Sequence, residues 1–207
     1  MKMEKDKLLI MIILSLFAIN VFTLVCFFQF KHQKVVDDMI KCNQEDNERD
    51  ELYAYKVNFT TNILNSNFKL DNVMIKDSIN NIIPLKELFH SGRKQMLVCR
   101  FSKIHCESCV NFAIQNLRKW ADSIGVKNVI FLGNYQNNKI FNRTKPLYGI
   151  HDMNVYNSST FKIPAEELGY PYYFVLDSSL RISNVFVPDK AIPKITNRYL
   201  RNVQKKF

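Results

Sequence analysis

The sequence predicts an α/β domain, a central mixed sheet flanked by helices, preceded by an N-terminal transmembrane helix and a helical stalk. Three observations predict it. An uncharged run, Leu8–Phe30, stands near the start of the 207-residue chain. A polar, acidic stretch follows it. Short apolar runs then alternate with helix-patterned segments to the end, as in a sheet with helices packed on its faces. These observations divide the chain into a tail at 1–7, an anchor at 8–30, a stalk at 31–67 and a domain at 68–207.

Leu8–Phe30 has 23 residues, of which only Asn20 and Gln29 are strongly polar. At about 1.5 Å per residue a helix of this length crosses a hydrocarbon core of roughly 30 Å. A cleaved signal peptide is the rival reading. Its apolar part is shorter, about 7–15 residues, and ends in a small-x-small site that is missing here. Lys2, Lys5 and Lys7 on one side and Lys31 and Lys34 on the other nearly balance, so flanking charge does not orient the segment. The stalk reads as one or two helices with an interrupted heptad pattern across Asn43–Asp50. Cys42, within it, is either a spare thiol or a bridge between two chains.

Charge is uneven. The net charge is +10; residues 31–65 carry −2 and residues 66–207 carry +11. The basic residues are scattered, without the clusters or interleaved aromatics of a nucleic-acid surface, so no nucleic-acid partner is expected. A solvated basic surface beside a membrane fits better. Asn58-Phe-Thr60, Asn142-Arg-Thr144 and Asn157-Ser-Ser159 match the glycosylation pattern, as an Asn-rich chain does by chance.

Within the domain, Val73–Ile75 is a short strand and Asn80–Phe89 a strand running into a helical turn. Gln95–Phe101 is apolar enough for a buried strand. After a polar link, Val110, Ala113, Ile114, Leu117, Trp120 and Ala121 recur on one face of a helix. Asn128–Gly133 is a second buried strand, which makes a parallel βαβ unit. Helix and loop follow over Tyr135–Tyr148, and a short extended piece near Val155–Phe161. Tyr172–Asp177, just after Pro171, and Ile182–Val187 pair as a hairpin. Pro188–Val203 closes the chain as a helix.

The chemistry concentrates at Cys106-Glu107-Ser108-Cys109, on the first turn of the helix that leaves the central strand. Free N–H groups and the positive end of the helix dipole favour a thiolate there. The thiolate is the nucleophile of disulfide exchange. Two intervening residues let the thiols close a disulfide across one turn. Half of a zinc site is the competing reading, but it needs two more ligands at close spacing. His105 alone is near; His90 and His151 are isolated.

With these pieces in order, residues 68–205 resemble the thioredoxin-fold superfamily, nearest to the membrane-anchored thioredoxin-like and redoxin-like proteins of the bacterial envelope. The strand–Cys106-x-x-Cys109–helix junction, the Gly169-Tyr170-Pro171 step before a strand, and the terminal hairpin with its helix carry the resemblance. It implies a thioredoxin-like fold, with Cys106 as nucleophile, Cys109 as resolving thiol and Pro171 as a cis proline beside them. It also implies a tethered thiol–disulfide oxidoreductase with its domain outside the cytoplasm, in the periplasm or its equivalent. Its partners would be disulfide-containing proteins and a membrane electron donor. No metal or other cofactor is expected beyond the Cys106–Cys109 disulfide.

The departures name the modulating residues. His105 replaces the usual aromatic residue before the first Cys, and Glu107-Ser108 the usual pair between the cysteines. Arg100 stands where cytosolic thioredoxins have a buried acid. Turned toward the pair, Arg100 or a protonated His105 would favour thiolate, and Glu107 would oppose it. Cys99 reads as core. The loop Phe101–His105 lacks the Pro and Thr of peroxiredoxin-like relatives, which disfavours peroxidase activity. A non-catalytic binding module is the alternative, and copper delivery with His151 as distal ligand a weaker one.

Overall fold

The structure is a computed structural model. It describes the backbone of residues 2–89 and 92–207, and the side chains of residues 19–24, 26–31, 33–34, 41, 46–89 and 92–207. The side chains of residues 8–18 and Val25 of the expected anchor, that of Cys42, and the whole of His90 therefore lie outside the described residues. The chain divides into two units, Met1–Asp50 and Glu51–Phe207. Among the described residues, no helix is long and apolar enough to cross a membrane.

The first helix, α1 (Lys2–Asn65), is continuous through Asn43–Asp50, where the heptad pattern is interrupted. Its end, from Glu51 on, belongs to the second unit. Ala54, Asn58, Thr61 and Asn65 recur at helical spacing and are buried. Asn58 and Asn62 Oδ1 accept the N–H groups of Val187 and Val185 at 2.6 and 2.9 Å. Asn65 Oδ1 accepts that of Ala165 at 2.8 Å. Asn58 and Asn62 thus satisfy amides along the edge strand β7 (Ile182–Phe186) that would otherwise be open to another chain. The amides of Asn58, Asn142 and Asn157 are all bonded within the domain, against their use as glycosylation acceptors.

The sheet is built from β1 (Met74–Lys76), β2 (Ile82–Pro84), β3 (Gln95–Ser102), β4 (Val129–Asn134), β5 (Asn154–Ser158), β6 (Tyr172–Asp177) and β7 (Ile182–Phe186). Their order is β2-β1-β5-β4-β3-β6-β7. Strands β3, β4 and β5 are parallel; β6 runs antiparallel to β3, and β7 antiparallel to β6. The helices are α2 (Glu107–Ile124), α3 (Asn138–Leu147) and α4 (Pro193–Gln204). Three parallel strands beside an antiparallel hairpin, with a crossover helix leaving the central strand, make a thioredoxin-like fold. The weakly patterned stretch near Val155 is β5, parallel to β4.

Strand pleating sends alternate residues of β3 into two cores. Leu97, Cys99 and Phe101 meet Val110, Ala113, Ile114 and Leu117 of α2 and Leu200 and Val203 of α4. Met96 and Val98 meet Ile130, Leu132, Phe174 and Leu176 on the other face. The buried Tyr173 hydroxyl donates to the Ala113 carbonyl at 2.6 Å, pinning α2 to β6 one turn beyond Cys109. Gly133 is fixed by close approach: a Cβ there would collide with the Phe141 ring. Gly133→Ala should lower stability by about 1–3 kcal/mol, the usual cost of overpacking. Urea denaturation of the full chain would check it.

Candidate active site

Strand β3 ends at Ser102, and a four-residue span brings the chain to α2. Ser102 and His105 close that span on themselves. The His105 N–H donates to the Ser102 carbonyl at 3.1 Å, and the Ser102 N–H donates to His105 Nδ1 at 3.2 Å. An accepting Nδ1 requires a neutral imidazole. Burial lowers the His105 pKa, with Glu166 opposing and Arg100 adding to the shift. His105 is therefore a neutral structural residue of the loop, not a cation for the thiolate.

Cys106 is the N-cap of α2, and its carbonyl accepts the N–H groups of Cys109 and Val110 at 3.0 and 2.9 Å. Both Cys106 and Cys109 carry free thiols. Cys106 is exposed and Cys109 half-buried. The pKa of Cys106 is lowered to about 7, first by the hydrogen bond from the Cys109 side chain, then by Ser108 and the Cys109 N–H, and last by the charge of Lys190. Cys109 moves upward, first through burial and then through its bond to Cys106. The thiols are thus divided by environment: an accessible thiolate at Cys106 and a protonated thiol behind it.

Arg100 does not face this pair. It is 1 % exposed, on the opposite face of the sheet from Cys99 and Phe101. Its guanidinium donates to Glu166 Oε1 at 2.6 Å and Oε2 at 3.3 Å, to the Gly133 carbonyl at 3.1 Å, to Ser158 Oγ at 2.7 Å and to the Ser159 carbonyl at 2.8 Å. It also lies 4.1 Å from the Phe161 ring centroid. All its donor directions are used internally, so it is neither a thiolate stabiliser nor a surface charge. Glu107 is exposed on the first turn of α2 and does not figure among the influences on Cys106; its charge acts on Tyr135 and Tyr148.

Pro171 is buried just before β6, whose first residue Tyr172 pairs with Arg100 near the end of β3. The topology therefore puts Pro171 at the end of the sheet from which the cysteine loop departs. The expected cis bond is corrected: the Tyr170–Pro171 peptide is trans, the isomer favoured at X–Pro bonds by about 0.5–1 kcal/mol. Gly169, at φ 72°, makes the turn into this step. Among the described residues, no group of three or more His, Cys, Asp or Glu could hold a metal ion, and His151 is exposed.

Three residues of the site escaped sequence reasoning as contributors. Ser108 was visible between the cysteines, where a hydroxyl is a potential donor. Glu166 belongs to an acidic pair just ahead of Gly169-Tyr170-Pro171. Lys190 lies 82 residues from its partner Ser108, and nothing in a scattered basic sequence marks it.

Fold and site together define a thioredoxin-like domain with a reduced Cys-x-x-Cys pair at a helix start. No family model matches the chain, and no curated protein matches it. Solved structures similar to it include the peroxidoxin BcpB of Mycobacterium tuberculosis, 11% identical over 69% of this chain and 97% of that one, with a TM-score of 0.49. A thioredoxin-like protein of Porphyromonas gingivalis is 16% identical over 66% of this chain and 92% of its own, with a TM-score of 0.47. Thioredoxin peroxidase I of Plasmodium yoelii is 17% identical over 68% and 89%, with a TM-score of 0.45. The fold is read from strand order and direction, not from these likenesses.

Proposed function

We propose that the chain is a membrane-tethered thiol–disulfide oxidoreductase that acts on protein disulfides outside the cytoplasm. The pairing of an exposed, acidified Cys106 with a half-buried, protonated Cys109 carries this reading. Cys106 thiolate attacks one sulfur of a substrate disulfide; the substrate S–S bond breaks and one substrate thiolate leaves. Cys109 then loses its proton and attacks the Cys106 sulfur, expelling the second substrate thiolate. The substrate gains two electrons, and the chain is left with a Cys106–Cys109 disulfide. A reducing dithiol or a membrane electron donor must return those electrons for a further turnover.

The tether is supported by the length and lack of charge of Leu8–Phe30, and the extracytoplasmic placement by the disulfide chemistry itself. The full chain with dithiothreitol should reduce insulin disulfides, and Cys106→Ser should fall to the buffer background. The rate should also drop as pH falls below about 7, as the Cys106 thiolate is protonated. Equal rates in wild type and Cys106→Ser would rule the enzyme out.

A further inference from the structure

Lys190 lies in the loop between β7 and α4, and its ammonium donates to Ser108 Oγ at 2.6 Å. Ser108 Oγ is in turn 3.2 Å from Cys106 Sγ. The hydrogen-bond chemistry gives this chain a direction. An ammonium has three donors and no acceptor, and a serine hydroxyl has one proton. While Lys190 donates to Ser108 Oγ, the serine proton is left to point at the sulfur. A hydrogen bond donated to a thiolate favours the charged form.

The loop is built to hold that ammonium. Asp189 Oδ1 accepts the Ala191 N–H at 2.8 Å, an Asx turn around Lys190. The Asp189 N–H donates to Thr196 Oγ1 at 3.2 Å, and Thr196 is fully buried. Pro188 is buried on one side of the turn, and Pro193 opens α4 on the other.

We propose that Lys190 and Ser108 are positioning residues for the dithiol: Lys190 orients the Ser108 hydroxyl so that it donates to the Cys106 sulfur in the reduced protein. This refines the proposed dithiol chemistry at the same site. The bond is lost when Cys106 enters a disulfide, since that sulfur then carries no charge. The pair therefore favours the dithiol over the disulfide form and makes the protein a stronger oxidant than the cysteines alone would be.

Iodoacetamide alkylation of the reduced full chain across pH tests this without any disulfide substrate, so its outcome is separate from that of the insulin assay. Fragment-ion mass spectrometry distinguishes Cys106 from the other thiols. The wild-type midpoint should lie at about pH 7. Ser108→Ala and Lys190→Ala should each move it upward and slow the rate at about pH 6.5 by roughly two- to fivefold, the range of an exposed charge interaction. Lys190→Arg, which keeps a donor, should retain most of the wild-type profile. Adding Lys190→Ala to Ser108→Ala should move the midpoint by less than Lys190→Ala does alone, the remainder being the direct charge of Lys190 on Cys106. An unchanged profile in either single variant, or additive effects in the double variant, would overturn the relay. Circular dichroism of Lys190→Arg and Lys190→Ala checks that the fold is intact.

Discussion

Glu166→Ala should destabilise the domain by about 3–5 kcal/mol, because removing one partner leaves the other as an uncompensated buried charge. Arg100 is that charge: it is 1 % exposed and Glu166 9 %, and the carboxylate takes two of its donors. The Tyr172 hydroxyl donates to the same carboxylate at 2.8 Å and would be stranded with it. The cost belongs to breaking the pair, not to its absence. Arg100→Met combined with Glu166→Leu should regain a large part of the loss, since well-packed apolar residues often replace a buried ion pair without penalty. Urea unfolding of the two variants, each against wild type, measures both quantities. A Glu166→Ala loss below about 1 kcal/mol would place the pair in the class of solvated surface bridges. The effect should reach the site, because His105 feels both charges and holds the loop that delivers Cys106.

This network marks where sequence reasoning stopped. The strands and helices of the domain were legible because their burial imposes period: two cores divide β3 by alternation, and α2 shows a 3.6-residue stripe. The cysteine pair was legible because local spacing and a helix start specify its chemistry. Arg100 was not. A charged residue inside a strand has no periodic signature that tells a buried ion pair from an inward or outward charge, and its partner Glu166 comes 66 residues later. The asparagines at the end of α1 were not legible for a related reason. They lie in a stretch that reads as polar, yet Asn58 and Asn62 accept amides at the end of β7 and Asn65 accepts that of Ala165. Long-range polar pairing decides all of these positions, and a single sequence does not display it.

The sharpest expected result at the dithiol is covalent. Cys109→Ser should stop turnover and hold Cys106 in a mixed disulfide with its substrate, since a serine hydroxyl cannot resolve the bond. The environment of Cys109 explains why resolution is ordered in the intact protein. Burial raises its pKa first, and the hydrogen bond and negative charge of Cys106 raise it further. Once Cys106 is bonded to substrate, those last two influences disappear, whereas Lys190 and Ser108 still lower the pKa. The resolving thiol is thus easier to ionise when it is required and protected when it is not. A serine hydroxyl at position 109 still has a proton to donate to the Cys106 sulfur, so trapping should proceed at neutral pH and be faster at about pH 8, where more of Cys106 is thiolate. Intact-mass and non-reducing gel analysis with reduced Cys109→Ser and an oxidised substrate protein should show a one-to-one adduct that dithiothreitol reverses. The Cys106→Ser, Cys109→Ser double variant should form none. An adduct mapped to Cys26, Cys42 or Cys99, or no adduct at either pH, would remove Cys106 from the role of nucleophile.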